Sequence, residues 1–562
     1  MPALFIGIFV SPLWLTLTNW GGTFDWGYFF FLAEVDRTSV MTYGQFPLWN
    51  PYYCGGAVHL ANPQTYFLSP TFLLILLFGT PIGLRLTLTT AIVLAYDGTR
   101  RWCRALGMGA TGMVVAGLGY AMCGTLAQHL GGGHVGWVGF CVFPYVLYSF
   151  HRALDGSRRH LIYGALWLAW IFGHFGGYTF PYSCLALAVY GLLTGGARGR
   201  TRAALGIVSA FGAGALALSA VRLLPILDFV KGHPRFRTDR DVLRLRELIE
   251  IYAVRHRTRL VPGHDYVWPE YGNYLGVAGV ALFTVGVWVV LRERRRLWPL
   301  LATAAIFVLY QLGNRPGFPW TLTKQLPIFR YMRVPSRFTI LVGLMACALV
   351  GLAVSRFVDP VRSRWRAAPL RLRFGGAAIA ALALVFLVDI AAFNREQWFQ
   401  TMAGAPPTDR VLPAFKQMPG EKARMYAYPR SNQGSLSCFE ESPLDISPAL
   451  RANAIVDEYP ADPTTGTVRR LSWSPNRIVV ETHFTRPGRV VVNQNWNPHW
   501  HVEGGRVEND HGLLAAAVES GQRQVTFRYL PRPFLVGLAT TIAALGLAAW
   551  LWWRWAPKRA IR

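Results

Sequence analysis

Apolar runs of about 20 residues, the length that spans a bilayer as a helix, recur along almost the whole sequence and are separated by short Arg-rich breaks. The runs fall near 3–20, 82–98, 107–127, 135–151, 160–175, 178–195, 203–222, 273–291, 297–312, 336–356, 374–393 and 533–553. About twelve transmembrane helices are expected from them. Composition agrees: 52% of the 562 residues are hydrophobic and 15% are charged, against roughly 25% charged in a soluble domain. A large soluble enzyme is therefore excluded.

The formal charge of +27 does not mark a nucleic-acid binder, because the Arg residues sit in clusters between apolar segments. That is the pattern of loops retained on the cytoplasmic side. The stretch 65–79 is apolar but short, and Gly79-Thr80-Pro81 breaks it from the next run. Reading it as a re-entrant or interfacial helix puts the basic loops around 99–104, 151–160, 197–202, 292–296, 356–373 and 554–562 on one side. Both termini are then cytoplasmic. The run at 3–20 lacks a basic n-region and a small-residue cleavage site, so it is expected to stay as a span. The seven Cys are scattered singly, which predicts no disulfide framework and no metal-type spacing.

The opposite side receives the loops 21–81, 128–134, 223–272, 313–335 and 394–532. The chain divides accordingly: 1–393 as a membrane domain with its first outer loop at 21–81, 394–532 as an extracytoplasmic β-rich domain, and 533–562 as the last span with a basic tail. Short strand-like runs at 477–484, 489–495, 499–505, 513–519 and 524–530, punctuated by Pro-Gly, Asn-Pro, Gly-Gly and Ser-Gly turns, predict an antiparallel sandwich before the last helix.

Polar residues gather at the outer ends of the spans. The first outer loop opens with Asp25 and carries Glu34, Asp36, Asn62 and Gln64 among many aromatics. Asp25 has two readings: the N-cap of an interfacial helix, since Asp is a favoured cap, or a functional carboxylate. His134, His174, Arg222, Asp228, Arg333 and Arg337 stand near other outer span ends, where ionisable groups usually face an interior cavity. The outer loops also hold Lys231, Arg235, Arg237, Arg240 and Arg330, against the cytoplasmic trend. Phosphate recognition is one reason for such a cluster, and contact with lipid headgroups is the other.

The segments FPLWNPYYCGG, ANPQTYFLSP, GGGHVGWVGFCVFPYVLYSFHRAL, FGHFGGYTFPYS, SAVRLLPILDFV, NYLGVAGVALF, LPIFRYMRVPSRF and the run from VVVNQNWNPHW to YLPRPF together resemble the YfhO family of bacterial multi-pass membrane proteins, within the GT-C glycosyltransferase class. The resemblance implies sugar transfer from a polyprenyl-phosphate carrier to a cell-envelope acceptor at the outer face of the bacterial plasma membrane. It implies Asp25 as the catalytic base, with Glu34 and Asp36 as second acids, because the class often has two adjacent acids where this chain has Asp-Trp. Lipid phosphate would be held by Arg222, Lys231, Arg235, Arg333 and Arg337, and the cavity lined by His134, His174, Asn62 and Gln64. The departure from paired acids puts a metal role in question. The resemblance fixes no cofactor and leaves room for a divalent metal. The rival readings are a non-catalytic envelope-assembly protein of the same fold and a lipid or polysaccharide transporter.

Overall fold

The computed structural model describes residues 2–15, 17, 25–174, 177–234, 241–255, 264–363, 369–402, 404–438 and 444–556. Among them, seven helices are long and apolar enough to cross a membrane: Phe72–Ala105, Ala110–Gly131, Thr179–Ala197, Thr201–Leu218, Pro335–Arg362, Leu370–Thr401 and Arg532–Arg554. The count rises to eight if Gly276–Arg292 and Arg295–Gln311, bent by 119° at their junction, form one span. The protein is a multi-pass membrane protein. Reaching twelve spans requires counting shorter helices as well, such as Val138–Leu154 and Arg159–His174. Much of the run at 16–24 lies outside the described residues.

The helix Thr339–Phe357 is buried along nearly its whole length, so it forms the centre of the bundle. The last helix, by contrast, exposes Leu535, Val536, Ile542 and Trp553. An apolar surface of that kind suits a lipid environment. This helix meets the rest of the bundle at Gly537, where an added Cβ would lie 2.3 Å from the Ala220 carbonyl oxygen.

The segment at 72–78 folds back on the helix that follows it. Gly79 adopts φ 76° and ψ 165° inside the helix Phe72–Ala105, a conformation open to glycine and costly for other residues. Were the helix continuous from Thr71, Thr87 would lie about 24 Å away along the axis. Instead the Thr87 hydroxyl is 3.5 Å from the Thr71 carbonyl oxygen. A Cβ on Gly83 would meet the Ile75 Cα at 2.4 Å, so the two pieces pack backbone to backbone.

The C-terminal region forms two four-stranded antiparallel sheets. One orders Arg506–Asp510, Leu513–Val518, Gly488–Asn495 and Glu458–Pro460; the other orders Gly466–Ser474, Arg477–Phe484, Gly521–Tyr529 and Trp500–Glu503. The expected strands are present. Gly466–Ser474, Arg506–Asp510 and Glu458–Pro460 are additional, and all three lie at or beside sheet edges with little apolar burial to mark them. An open cleft of about 1230 Å³ at one end of the sandwich is lined by Arg486, Arg489, Arg506 and Arg523 with Asp462 and Glu519.

This region does not stand apart from the membrane domain. Trp49 of the first outer loop donates from its backbone N–H to the Asn476 amide oxygen (3.1 Å) and from its indole to Gln494 (2.8 Å). Asn495 donates to the carbonyls of Cys54 and Gly56, at 2.7 and 2.9 Å. The 3₁₀ segment Lys422–Arg430 packs on the helix Trp26–Met41, with Tyr426 edge-on to Phe30. A disulfide joins Cys54 to Cys438. That bond corrects the expectation of no disulfides: its partners are 384 residues apart in sequence and meet only through the tertiary fold. Cys103, Cys123, Cys141, Cys184 and Cys347 are free.

Arg222 closes the interior of the same loop. Its buried guanidinium donates to five carbonyls, those of Phe172, Gly173, Asn62, Pro63 and Thr65, at 2.5–3.2 Å. The sequence places it among phosphate ligands; in the structure its Nη1 and Nη2 donors are engaged by backbone.

Two outcomes are expected. Reporter fusions at Gly156 and Asn432 should localise to opposite sides of the membrane, and a membrane-impermeant thiol reagent should label Cys54 and Cys438 only after reduction, since a structural disulfide persists in an oxidising compartment. Arg222→Lys should lower the melting temperature of the detergent-solubilised protein, because an ammonium with three donors cannot span five carbonyls and each charge-assisted bond contributes about 1.5–3 kcal/mol. An unchanged melting temperature would mean that the loop is held by other contacts.

Candidate functional site

Asp25 occupies the N-cap position of the helix Trp26–Met41, yet its side chain makes no capping hydrogen bond. The carboxylate turns instead to His134, whose Nε2 lies 3.0 Å from Asp25 Oδ2. The glycines before His134 make this approach feasible. Gly133 has φ +101°, and a Cβ there would sit 2.6 Å from the Trp26 backbone nitrogen. The Trp26 indole donates to the Gly131 carbonyl at 2.8 Å, and the Asp25 N–H to that of Gly132 at 3.3 Å. The loop 131–134 and the start of the helix are thus fixed to each other.

From His134 the contacts run inward. Its Nδ1 is 2.7 Å from Nδ1 of His129, a fully buried residue at the end of the helix Gly124–Gly131. The His129 ring stacks on Trp137 with centroids 3.5 Å apart and planes 7° from parallel. Its Nε2 faces Glu270 Oε2 at 3.8 Å. Glu270 in turn accepts a two-pronged pair of hydrogen bonds from Arg337, at 2.7 and 2.6 Å. Burial alone would push the Glu270 carboxyl up, but the charge and hydrogen bonds of Arg337 outweigh it and hold the carboxyl ionised well below its ordinary range. The Arg337 guanidinium also covers the face of Tyr178, 4.5 Å from the ring centre.

The exposure of this row is graded. The side chains of Asp25 and His134 are 39% and 24% exposed, while His129 is 0%. One end meets solvent, and the other lies within protein. Arg333, four residues before Arg337, is half-buried and has a cation–π contact with Tyr266 at 6.0 Å. His129, His134 and Glu270 each bring one metal-binding atom to within 4.8 Å of the others.

The remaining expected site residues lie elsewhere. Glu34 accepts from the Thr80 hydroxyl at 2.6 Å and lies 3.6 Å from Arg37. Asp36 meets His59 at 2.5 Å, both fully buried, and burial raises its carboxyl pKa against the opposing charge of His59. On a helix these two acids sit about 14–17 Å further along than Asp25, so neither pairs with it. Asn62 donates to the Tyr28 hydroxyl and accepts on its side-chain oxygen from the Gln64 N–H. His174 is buried, with Nε2 2.9 Å from the Val135 carbonyl. Lys231 is exposed near the outer end of the helix Ala220–Gly232, and Arg235 lies outside the described residues.

His129 and Glu270 are the members that the sequence did not single out. The only local signal is the pair of histidines flanking LGGG in 129–134; Glu270 stands in WPEYGN, inside a loop otherwise marked by its basic residues.

No family model matches the chain, and no curated protein does. Among solved structures, the mycobacterial arabinofuranosyltransferase AftD has a similar fold, with a TM-score of 0.51 and 15% identity, covering 92% of this chain and 40% of that chain. ArnT from Cupriavidus metallidurans gives a TM-score of 0.39 at 14% identity over 76% of this chain and 77% of that chain. At such identities the AftD likeness is one of fold alone, and this chain spans well under half the length of AftD.

Proposed function

We propose that this protein is a membrane glycosyltransferase of YfhO-like type. It takes a sugar from a polyprenyl-phosphate carrier and transfers it to an acceptor at the extracytoplasmic face of the bacterial plasma membrane, with both termini cytoplasmic. The observation that carries this reading is the row Asp25–His134–His129–Glu270–Arg337, in which each side chain faces the next. It ties a solvent-reachable carboxylate to the outer ends of several helices, in a fold shared with a glycosyltransferase.

In the reaction, an acceptor hydroxyl oxygen bonds to the anomeric carbon while the bond from that carbon to the carrier phosphate breaks. The bonding pair leaves with the phosphate, and the hydroxyl proton passes to Asp25. His134 holds one oxygen of Asp25 and leaves the other for the acceptor, the geometry a general base needs. Charge builds on the leaving phosphate, and a cation nearby stabilises it. Arg337 is committed to Glu270, so this role falls to Arg333, with Lys231 further out. The arginine-lined cleft of the sandwich supports a part for that domain in holding an acidic acceptor.

Asp25→Asn should leave the protein folded and inserted but lower sugar transfer from a polyprenyl-phosphate sugar by about 10²- to 10⁴-fold, the usual contribution of a general base. Glu34→Gln and Asp36→Asn should have smaller effects on transfer. Arg333→Ala should weaken donor binding with expression unchanged. Full activity in Asp25→Asn would remove the base from the scheme. Silence in all the acid variants would favour an assembly protein that retains the fold.

A further inference from the structure

Hydrogen-bond accounting along the row exposes a gap. An ionised Asp25 only accepts, so His134 donates to it from Nε2. A neutral His134 then has a bare Nδ1, and the 2.7 Å contact requires His129 to donate from its own Nδ1. This assignment follows from the pattern of partners. It leaves His129 Nε2 with a lone pair. That atom is buried and makes no hydrogen bond, and it faces a second electron-rich atom, Glu270 Oε2, at 3.8 Å. A hydrogen bond between nitrogen and oxygen spans about 2.7–3.2 Å, so a proton does not fill the space. A cation bonded to both at about 2.0–2.2 Å does, with the two bonds at an open angle.

We propose that His129, His134 and Glu270 form a binding site for a divalent transition-metal ion of the zinc type. On binding the ion, His134 gives up the hydrogen bond from His129 and turns its Nδ1 lone pair to the metal, while its Nε2–H stays on Asp25. Two imidazoles and one carboxylate, with a position left open, are the donor set of a zinc ion that acts on a ligand. Glu270 has lone pairs remaining after Arg337 takes its two hydrogen bonds, and Arg337 keeps it in the charged form a metal needs. Asp25 takes the place of the outer carboxylate that orients a ligating histidine, a partner that metal sites commonly carry. The formal charges also fit. Asp25 and Glu270 against Arg337 leave one negative charge, and a divalent ion turns it into one positive charge, suited to a phosphate or a developing oxyanion. The site rests on these side chains alone, and would stand if sugar transfer were disproved.

The test is metal binding by the full-length protein in detergent, after chelator treatment, with zinc alone as the probe and cobalt as a spectroscopic substitute. The wild-type protein should bind one equivalent of zinc at this site and show the visible bands of tetrahedral cobalt. His134→Gln and His129→Gln should abolish both. Asp25→Asn should bind about 10–100-fold more weakly, the usual effect of losing an orienting partner. His264→Gln, in a separate cluster with Asp241 and Glu247, should bind as the wild type does. His129 is buried, so if that variant does not fold, the partly exposed His134 decides the matter. Absence of bound metal in the wild-type protein, equal binding by His134→Gln, or loss in His264→Gln alone overturns the proposal.

Discussion

The backbone of the first outer loop is buried, and its polar groups must find partners inside the protein. A buried, unpaired N–H or carbonyl loses the full value of a hydrogen bond, and irregular backbone near membrane depth survives only where protein or a water-filled cavity surrounds it. Much of the architecture answers that demand. Arg222 comes from a helix far along the chain and serves the carbonyls at 62–65. Asn476 and Asn495 come from the sandwich and serve Phe46, Trp49, Cys54 and Gly56. The loop is thus shared between the membrane domain and the C-terminal sheets, and the disulfide at Cys54 fixes a seam that hydrogen bonds already define.

That seam sets the position of Asp25. The helix Trp26–Met41 is packed by 131–134 at its start and by Lys422–Arg430 one turn further along. With its start pinned by backbone and indole hydrogen bonds, the carboxylate does not have to cap its own helix and is turned towards His134. A side chain oriented by packed neighbours loses little further freedom when it acts, the condition under which a general base or a metal-orienting carboxylate is effective.

The helical bundle and the sandwich were legible in the sequence because both rest on periodic burial of apolar residues. The five expected strands are the ones with buried faces, whereas Gly466–Ser474 has no fully buried residue and emerges only as a partner of Arg477–Phe484. Asp25 and His134 were legible as polar residues at span ends. His129 and Glu270 were not, because one looks like a histidine in an apolar helix and the other like an acid in a basic loop. Their meaning lies in contacts between residues 141 positions apart in sequence. Cys54 and Cys438 were missed for the same reason.

The basic residues expected at the outer face fall into two uses that a charge count cannot separate. Arg222 and Arg337 are buried, and each is matched to acceptors supplied by the protein, five carbonyls in one case and one carboxylate in the other. Removing either would strand buried polar groups, so both are tied to the fold whatever ligand arrives. Arg333 and Lys231 are more open to solvent. Guanidinium groups suit the first use because five donors in a planar fork can meet several fixed acceptors at once. A phosphate reaching this face therefore meets a field already partly neutralised from within. What it gains depends less on how many arginines line the loops than on which of them the buried backbone has left free.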